Sequence, residues 1–307
     1  MSSRRVAGID CGTNSIRLLI ADIDEQGRLR DVVRRMEVVR LGEGVDQTGR
    51  LSEAALERTR VALADYTAQI RAHEVTAIRM VATSASRDAE NAADFKAMVE
   101  SVLGQAPEVI TGDEEARLSF TGAAATLPAH DGQRLLLDIG GGSTEFVRGT
   151  GGEVLAAISV DIGCVRMTER HLHSDPPLPG EIEAAVADIT AVADKALAVA
   201  DAGREATELV AVAGTATTIA AISLGLGAYD PEAIDGTRLT YAQVAKVTQD
   251  LADVDHAARL AIPVMHPGRA DVIVGGSLVL RTIMERSGLD AVLISEHDIL
   301  DGIALSA

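Results

Sequence analysis

The hydrophobic pattern opens with an apolar run at residues 6–10, a Gly/Ser turn at 12–15 and a second β-rich run at 16–23. Two such runs across a tight turn predict a β-hairpin. A third run, 31–39, follows the turn at 24–27 and extends the hairpin to a three-strand meander. Ser52 then opens a helical pattern with Leu56, Val61, Leu63 and Ile70 at its apolar positions, and serine is a good N-cap. A strand at 77–82, a helix at 91–103, a strand at 108–110 and a helix from 113 to about 125 follow.

Pro128, Asp131 and Gly132 interrupt the pattern at 127–133, and the opening theme then returns. An apolar run ends in Asp138, glycines and a serine fill 140–143, and β-rich runs follow at 144–147 and 154–160. Asp10-Cys-Gly-Thr-Asn-Ser and Asp138-Ile-Gly-Gly-Gly-Ser are one device used twice: a strand, an Asp at its end, and a turn into the next strand. The repetition predicts two similar domains, 1–126 and 127–307, with the last helix free to pack back on the first. The second domain adds helices at 181–202 and 241–252, a strand at 208–212 opening into Gly214, and a closing strand–helix segment at 291–305.

Composition narrows the functional classes. A net charge of −18, from 46 acidic and 28 basic residues, argues against broad contact with nucleic acid, so an anionic substrate must meet local chemistry. Aromatic residues are 2% of the chain and tryptophan is absent, which leaves few stacking platforms for bases. Cys11 and Cys164 fit free thiols in a reducing compartment. The N-terminal apolar stretch is broken by Asp10, Asn14 and Arg17, and neither a signal peptide nor a membrane span is readable. The expectation is a cytoplasmic protein without a membrane or nucleic-acid partner.

The Asp–Gly–Ser turns carry the chemistry. Glycines let backbone approach a phosphate, and hydroxyl and N–H groups donate to its oxygens. An Asp at the strand end can hold a hydrated Mg²⁺, which takes one or two carboxylates beside its waters. Four segments, residues 6–15 (VAGIDCGTNS), 82–91 (ATSASRDAEN), 111–117 (TGDEEAR) and 137–145 (LDIGGGSTE), together resemble the exopolyphosphatase/guanosine-pentaphosphatase family of the acetate kinase, sugar kinase, Hsp70 and actin superfamily. The resemblance implies an α/β fold of two actin-like (ribonuclease H-like) domains, each with a mixed five-stranded sheet flanked by helices, and an active site in the interdomain cleft.

The resemblance also implies roles. Glu115 matches the catalytic glutamate that directs water at the terminal phosphorus, with Glu114 a less specific neighbour at a helix start. Arg87 matches a phosphate-binding arginine, and Asn91, four residues on, would share its helical face and either touch substrate or hold the loop. Gly12, Thr13, Asn14 and Ser15 of the first turn, and Gly140, Gly141, Gly142, Ser143 and Thr144 of the second, would bind substrate. Asp10, Asp138 and Glu145 would hold Mg²⁺ or Mn²⁺. The segment 210–218 (VAVAGTATT) resembles a third superfamily segment and adds Gly214 and Thr215, while Arg166 and Arg269 are further anion candidates. His171 and His173 alternate as metal ligands can, but no third ligand is near them in sequence.

The expected activity is metal-dependent release of orthophosphate from the end of inorganic polyphosphate. Longer family members carry extra C-terminal helical domains, and this chain ends soon after 295–302 (SEHDILDG), which predicts a preference for short chains. Hydrolysis of guanosine pentaphosphate (pppGpp) is the first rival, because the motifs are shared. An ATP-binding actin-like kinase and a noncatalytic phosphate-chain sensor are rivals of other classes. The resemblance further implies a homodimer.

Overall fold

The computed structural model describes residues 3–307; residues 1 and 2 lie outside the described residues. The chain forms two compact units, Met1–Thr126 with Asp298–Ala307, and Leu127–His297.

In the first unit β1 (Arg4–Cys11), β2 (Ser15–Ile23) and β3 (Leu29–Val38) form the antiparallel meander. β4 (Ala77–Ala82) and β5 (Glu108–Val109) add in parallel, giving the order β3-β2-β1-β4-β5. Successive side chains of a strand face opposite sides of a sheet, and β2 follows that rule. Ile16, Leu18 and Ile20 join the core under the helix Glu53–Ala72, whereas Leu19, Ala21 and Ile23 meet Leu300 and Ala304 of the helix Ile299–Leu305. With both faces covered, β1 and β2 read as continuous apolar runs. β3, at the edge, alternates Arg30, Arg34 and Arg35 with acidic partners, and such charge guards an edge against stray pairing.

Ser52 caps the helix Glu53–Ala72 by accepting from Ala55 N at 3.1 Å. Leu63 and Ile70 of that helix are buried and Leu56 is partly buried, whereas Val61 is 55% exposed and faces solvent, contrary to the expected stripe. The stripe runs instead through Ala55, Thr59, Ala62, Tyr66 and Thr67, whose small or polar members carry a weak apolar signal. Residues 82–91 also depart from expectation. Ser84–Asp88 forms a separate short helix, Ala89 is extended, and Asn91 sits at the N-cap of Ala92–Leu103, so Arg87 and Asn91 do not share a helical face.

The second unit repeats the plan. β6 (Gln133–Ile139), β7 (Thr144–Thr150) and β8 (Glu153–Val160) are antiparallel neighbours, and β9 (Ala206–Val212) runs parallel to β6. β10 (Arg238–Thr240) pairs antiparallel with β11 (Ala291–Ile294), which lies parallel to β9. The order β10-β11-β9-β6-β7-β8 thus contains the first sheet's five-strand arrangement, with β10 as a sixth, edge strand beyond the expected five. Two helices not anticipated from the pattern, Ala213–Ser223 and Ile273–Ser287, pack in its core. They are buried on most sides, and such helices show no amphipathic period.

The last helix belongs with the first unit, where it packs on β1 and on the helix Gly112–Ala124. Glycine makes both contacts possible. A β-carbon on Gly8 would sit 3.0 Å from Ala304 N, and one on Gly122 would overlap the carbonyl oxygen of Asp298. Backbone cannot retreat as a flexible side chain can, so Gly122→Ala is expected to destabilise the protein by about 1–3 kcal/mol or more. The check is a lower urea midpoint for Gly122→Ala beside an unchanged one for Gly180→Ala, where a β-carbon meets nothing.

Candidate active site

The turn after β1 is closed by Gly12 N donating to Ser15 O at 3.0 Å. The segment after β3 binds it from one side: Gly42 N donates to Thr13 O at 2.8 Å, and Val39 N and Arg40 N donate to Asn14 O at 3.1 and 2.8 Å. Thr13 is buried and its hydroxyl bonds Ser84 Oγ at 2.9 Å. Asp10 lies directly opposite Arg17 in the β1–β2 register, on the same face. Arg17 Nε and Nη2 donate to Asp10 Oδ2 at 3.0 and 2.7 Å, and its third nitrogen pairs with Asp298, the N-cap of the last helix. Burial pushes the Asp10 carboxyl up, and Arg17 offsets part of that shift.

Glu115 and Arg87 meet. Thr111 caps the helix Gly112–Ala124, accepting from Glu114 N at 3.2 Å, which places Glu114 and Glu115 in its first turn. The two differ sharply in surroundings. Glu114 is partly exposed and pairs with Arg79 at 2.7 Å, whereas Glu115 is 7% exposed and accepts from Arg87 Nη1 at 3.2 Å. Arg87 Nη1 also donates to Ile110 O at 3.0 Å, which anchors the guanidinium beside the carboxylate. Asn91 holds the loop: its amide group receives from Leu51 N at 2.8 Å and donates to Leu51 O at 3.0 Å.

The turn after β6 has the same closure, Gly140 N to Ser143 O at 3.0 Å. The start of the helix Cys164–His171 takes up its carbonyls: Cys164 N donates to Gly140 O at 2.9 Å and Val165 N to Gly141 O at 2.9 Å. Gly163 N and Arg166 Nε both donate to Gly142 O, at 3.2 and 2.8 Å. In a trans peptide the N–H opposes the C=O, so the N–H groups of Gly141, Gly142 and Ser143 face away from that helix, as an anion-binding nest requires. Ser143 and Thr144 are buried, and Thr144 donates to Ile162 O at 2.9 Å.

Asp138 and Glu145 are register partners across β6 and β7, both buried, and Glu145 accepts from Ser159 Oγ at 2.7 Å. This position separates the two halves of the repeat. Arg17 stands opposite Asp10, where Glu145 stands opposite Asp138. The first unit balances its strand-end acid within the sheet; the second sets two acids side by side. Two adjacent carboxylates suit a Mg²⁺ ion that keeps most of its waters, so the donor set of the second unit fits the expected cation. Asp10 is instead engaged by Arg17. No cluster of three or more His, Cys, Asp or Glu able to hold a metal occurs among the described residues. His171 Nε2 lies 2.9 Å from Asp188, and His173 is exposed.

Gly214 and Thr215 open the helix Ala213–Ser223. Ala213 takes a left-handed φ of 67°, uncommon for a residue with a β-carbon. A β-carbon on Gly214 would overlap the Arg269 guanidinium, which donates from Nη1 to Thr218 Oγ1 at 3.0 Å. Cys164 is hydrogen-bonded to Thr215, and burial raises its thiol to about 11, so it is neither a nucleophile nor a ready thiolate ligand. Sequence reading passed over Arg17, Ser84 and Asp298. Only Arg17 had a signal, since aligning residues 10–17 with 138–145 puts it against Glu145.

Replacing Arg17 by Met leaves Asp10 and Asp298 buried without their shared cation, and breaking such a pair costs about 3–5 kcal/mol. Because the Asp10 pKa is already raised, the variant gains stability as Asp10 protonates and loses it as pH rises through the folded-state value. Urea denaturation of Arg17→Met against the parent protein is therefore expected to show a smaller deficit at pH 5 than at pH 8.

Comparison with known proteins places these features. Residues 19–307 match the model of the Ppx/GppA phosphatase family. The chain is 48% identical over 318 aligned positions to exopolyphosphatase 2 of Mycobacterium tuberculosis, covering 100% of this chain and 99% of the relative. It superposes on the crystal structure of an exopolyphosphatase-like protein with a TM-score of 0.95 at 42% identity, covering 100% and 98% of the two chains. The Aquifex aeolicus family member gives a TM-score of 0.83 at 33% identity, covering 99% and 97%. The two mixed sheets and their flanking helices are the two-domain actin-like fold of that family. With the match running through nearly its whole length, this chain belongs to the Ppx/GppA phosphatase family.

Proposed function

We propose that this protein is an exopolyphosphatase that releases terminal orthophosphate from inorganic polyphosphate, and that Glu115 directs the attacking water. The observation that carries the mechanism is the buried Glu115 carboxylate held at 3.2 Å by Arg87. Full-length similarity to a protein named exopolyphosphatase 2 supports the substrate class.

Phosphoryl transfer asks a protein for positioning and charge stabilisation more than for covalent chemistry. Glu115 accepts a hydrogen bond from water and then its proton as the water oxygen bonds to the terminal phosphorus. The bridging P–O bond breaks, and the products are orthophosphate and a chain one unit shorter. The Arg87 guanidinium orients Glu115, and its remaining donors suit phosphate oxygens. The Thr13 and Ser15 hydroxyls of the first glycine turn are assigned to other phosphate oxygens, and the N–H groups of the second glycine turn are donors of the kind phosphate oxygens take. Mg²⁺ held by Asp138 and Glu145 would supply the positive charge that offsets the phosphates. This reading drops Asp10 as a ligand, since Arg17 occupies its carboxylate.

Buried free thiols at Cys11 and Cys164 support a reducing, cytoplasmic setting. No helix among the described residues is long and apolar enough to cross a membrane. A homodimer is part of the proposal, and light scattering checks it.

Glu115→Ala is expected to lower turnover of tripolyphosphate at least a hundredfold, about 3 kcal/mol of transition-state stabilisation, with substrate binding largely kept. Near-normal turnover removes Glu115 from this role. Phosphate release from tripolyphosphate, long polyphosphate and pppGpp, with and without Mg²⁺, tests the rest. The expected order is tripolyphosphate fastest, with activity lost on chelation; faster release from pppGpp would move the chain to the rival activity.

A further inference from the structure

The helix Ser84–Asp88 is five residues long and has no side-chain cap at Thr83, so its place depends on its tertiary partners. Arg87 anchors its far end to Ile110 O and Glu115. At its near end the Ser84 hydroxyl meets the Thr13 hydroxyl at 2.9 Å, with Ser84 2% and Thr13 7% exposed. Thr13 itself has little freedom. Its methyl group lies where a β-carbon on residue 42 would be, and Gly42 N donates to its carbonyl at 2.8 Å. What remains is rotation of the hydroxyl hydrogen. Each hydroxyl carries one proton, and one bond between the two consumes only one of them.

We propose that Ser84 is a positioning residue: it donates to Thr13 Oγ1 and thereby turns the Thr13 proton outward, toward a phosphate oxygen held at the first glycine turn. This rests on the phosphohydrolase reading above and adds a residue to it. Ser84 does not touch the substrate. An anion that accepts from Thr13 makes the Thr13 oxygen a better acceptor, so the two bonds strengthen one another. In the reverse orientation Thr13 donates inward to Ser84 and offers the anion only a lone pair, which repels it. The neighbouring Ser86 supplies a built-in control, since its Oγ is buried with no hydrogen-bond partner among the described residues.

The test is steady-state phosphate release from tripolyphosphate by the full chain carrying Ser84→Ala, Thr13→Val, both together, Thr13→Ser and Ser86→Ala. Ser84→Ala and Thr13→Val are each expected to lower kcat/KM roughly tenfold, in line with the cost of misplacing a substrate contact. In the Thr13→Val background Ser84→Ala is expected to cost nothing more, because its only route to the substrate is already gone. Ser86→Ala removes an unbonded hydroxyl and is expected to stay within about twofold of the parent, while Thr13→Ser, which keeps the hydroxyl, is expected to turn over faster than Thr13→Val. Equal losses from Ser84→Ala in the two backgrounds overturn the proposal, as that pattern belongs to a structural role. Should Ser84→Ala fail to fold, Thr13→Val against Thr13→Ser decides, and equal rates overturn it. A parent protein that hydrolyses neither tripolyphosphate nor pppGpp sinks the functional reading and this inference with it.

Discussion

The Arg17 guanidinium, shared between Asp10 and Asp298, joins three parts of the first unit that are far apart in sequence: the end of β1, the start of β2 and the N-cap of the last helix. All three side chains are largely removed from water, so none can shed its charge onto solvent. Ion pairs in such settings gain little net stability over an apolar replacement, but they penalise any arrangement that separates them. The geometry of the first glycine turn follows from that constraint. Asp10 is held at the strand end, Gly12 closes the turn, and Thr13 is pressed between Gly42 and Ser84.

The repeat has kept its backbone and changed its charges. Both turns close with the same Gly-to-Ser hydrogen bond, and both put residue seven positions after the Asp directly across from it. In the first unit that residue is Arg17, a cation beside the Asp; in the second it is Glu145, a second acid. A fold that duplicates a hairpin can thus keep one backbone and exchange a cation for an acid at the same register position. Glu115 shows a similar division at a finer scale. Its neighbour Glu114 lies in the first turn of the helix and pairs with Arg79, while one residue on the chain turns the next carboxylate inward to Arg87.

The sequence by itself determined the two-fold plan, because alternating apolar runs and glycine turns impose strand pairing wherever they occur, and these occur twice. It also determined the family, since the four motifs are local and their residue types are what phosphate chemistry needs. That Asp10 and Asp138 lie near their strand ends and Glu115 in the first turn of a helix was legible for that reason. Helices with an apolar stripe were legible too, but Ile273–Ser287 and Ala213–Ser223 were not, as a helix buried on most sides has no periodicity to read. The sixth strand, Arg238–Thr240, is too short to give a pattern of its own.

Only the tertiary structure decided which polar residues work together. Arg17 finds Asp298 across 281 positions and Thr13 finds Ser84 across 71, distances over which no local pattern carries information. It also separated Arg87 from Asn91, which spacing had placed on one helical face. A break at Ala89 sends Arg87 to Glu115 and Asn91 to Leu51. Local sequence sets the conformation a segment prefers, but the partner of a buried charge or hydroxyl is whatever group the packed chain brings within about 3 Å, and that is settled only when the whole unit has closed around it.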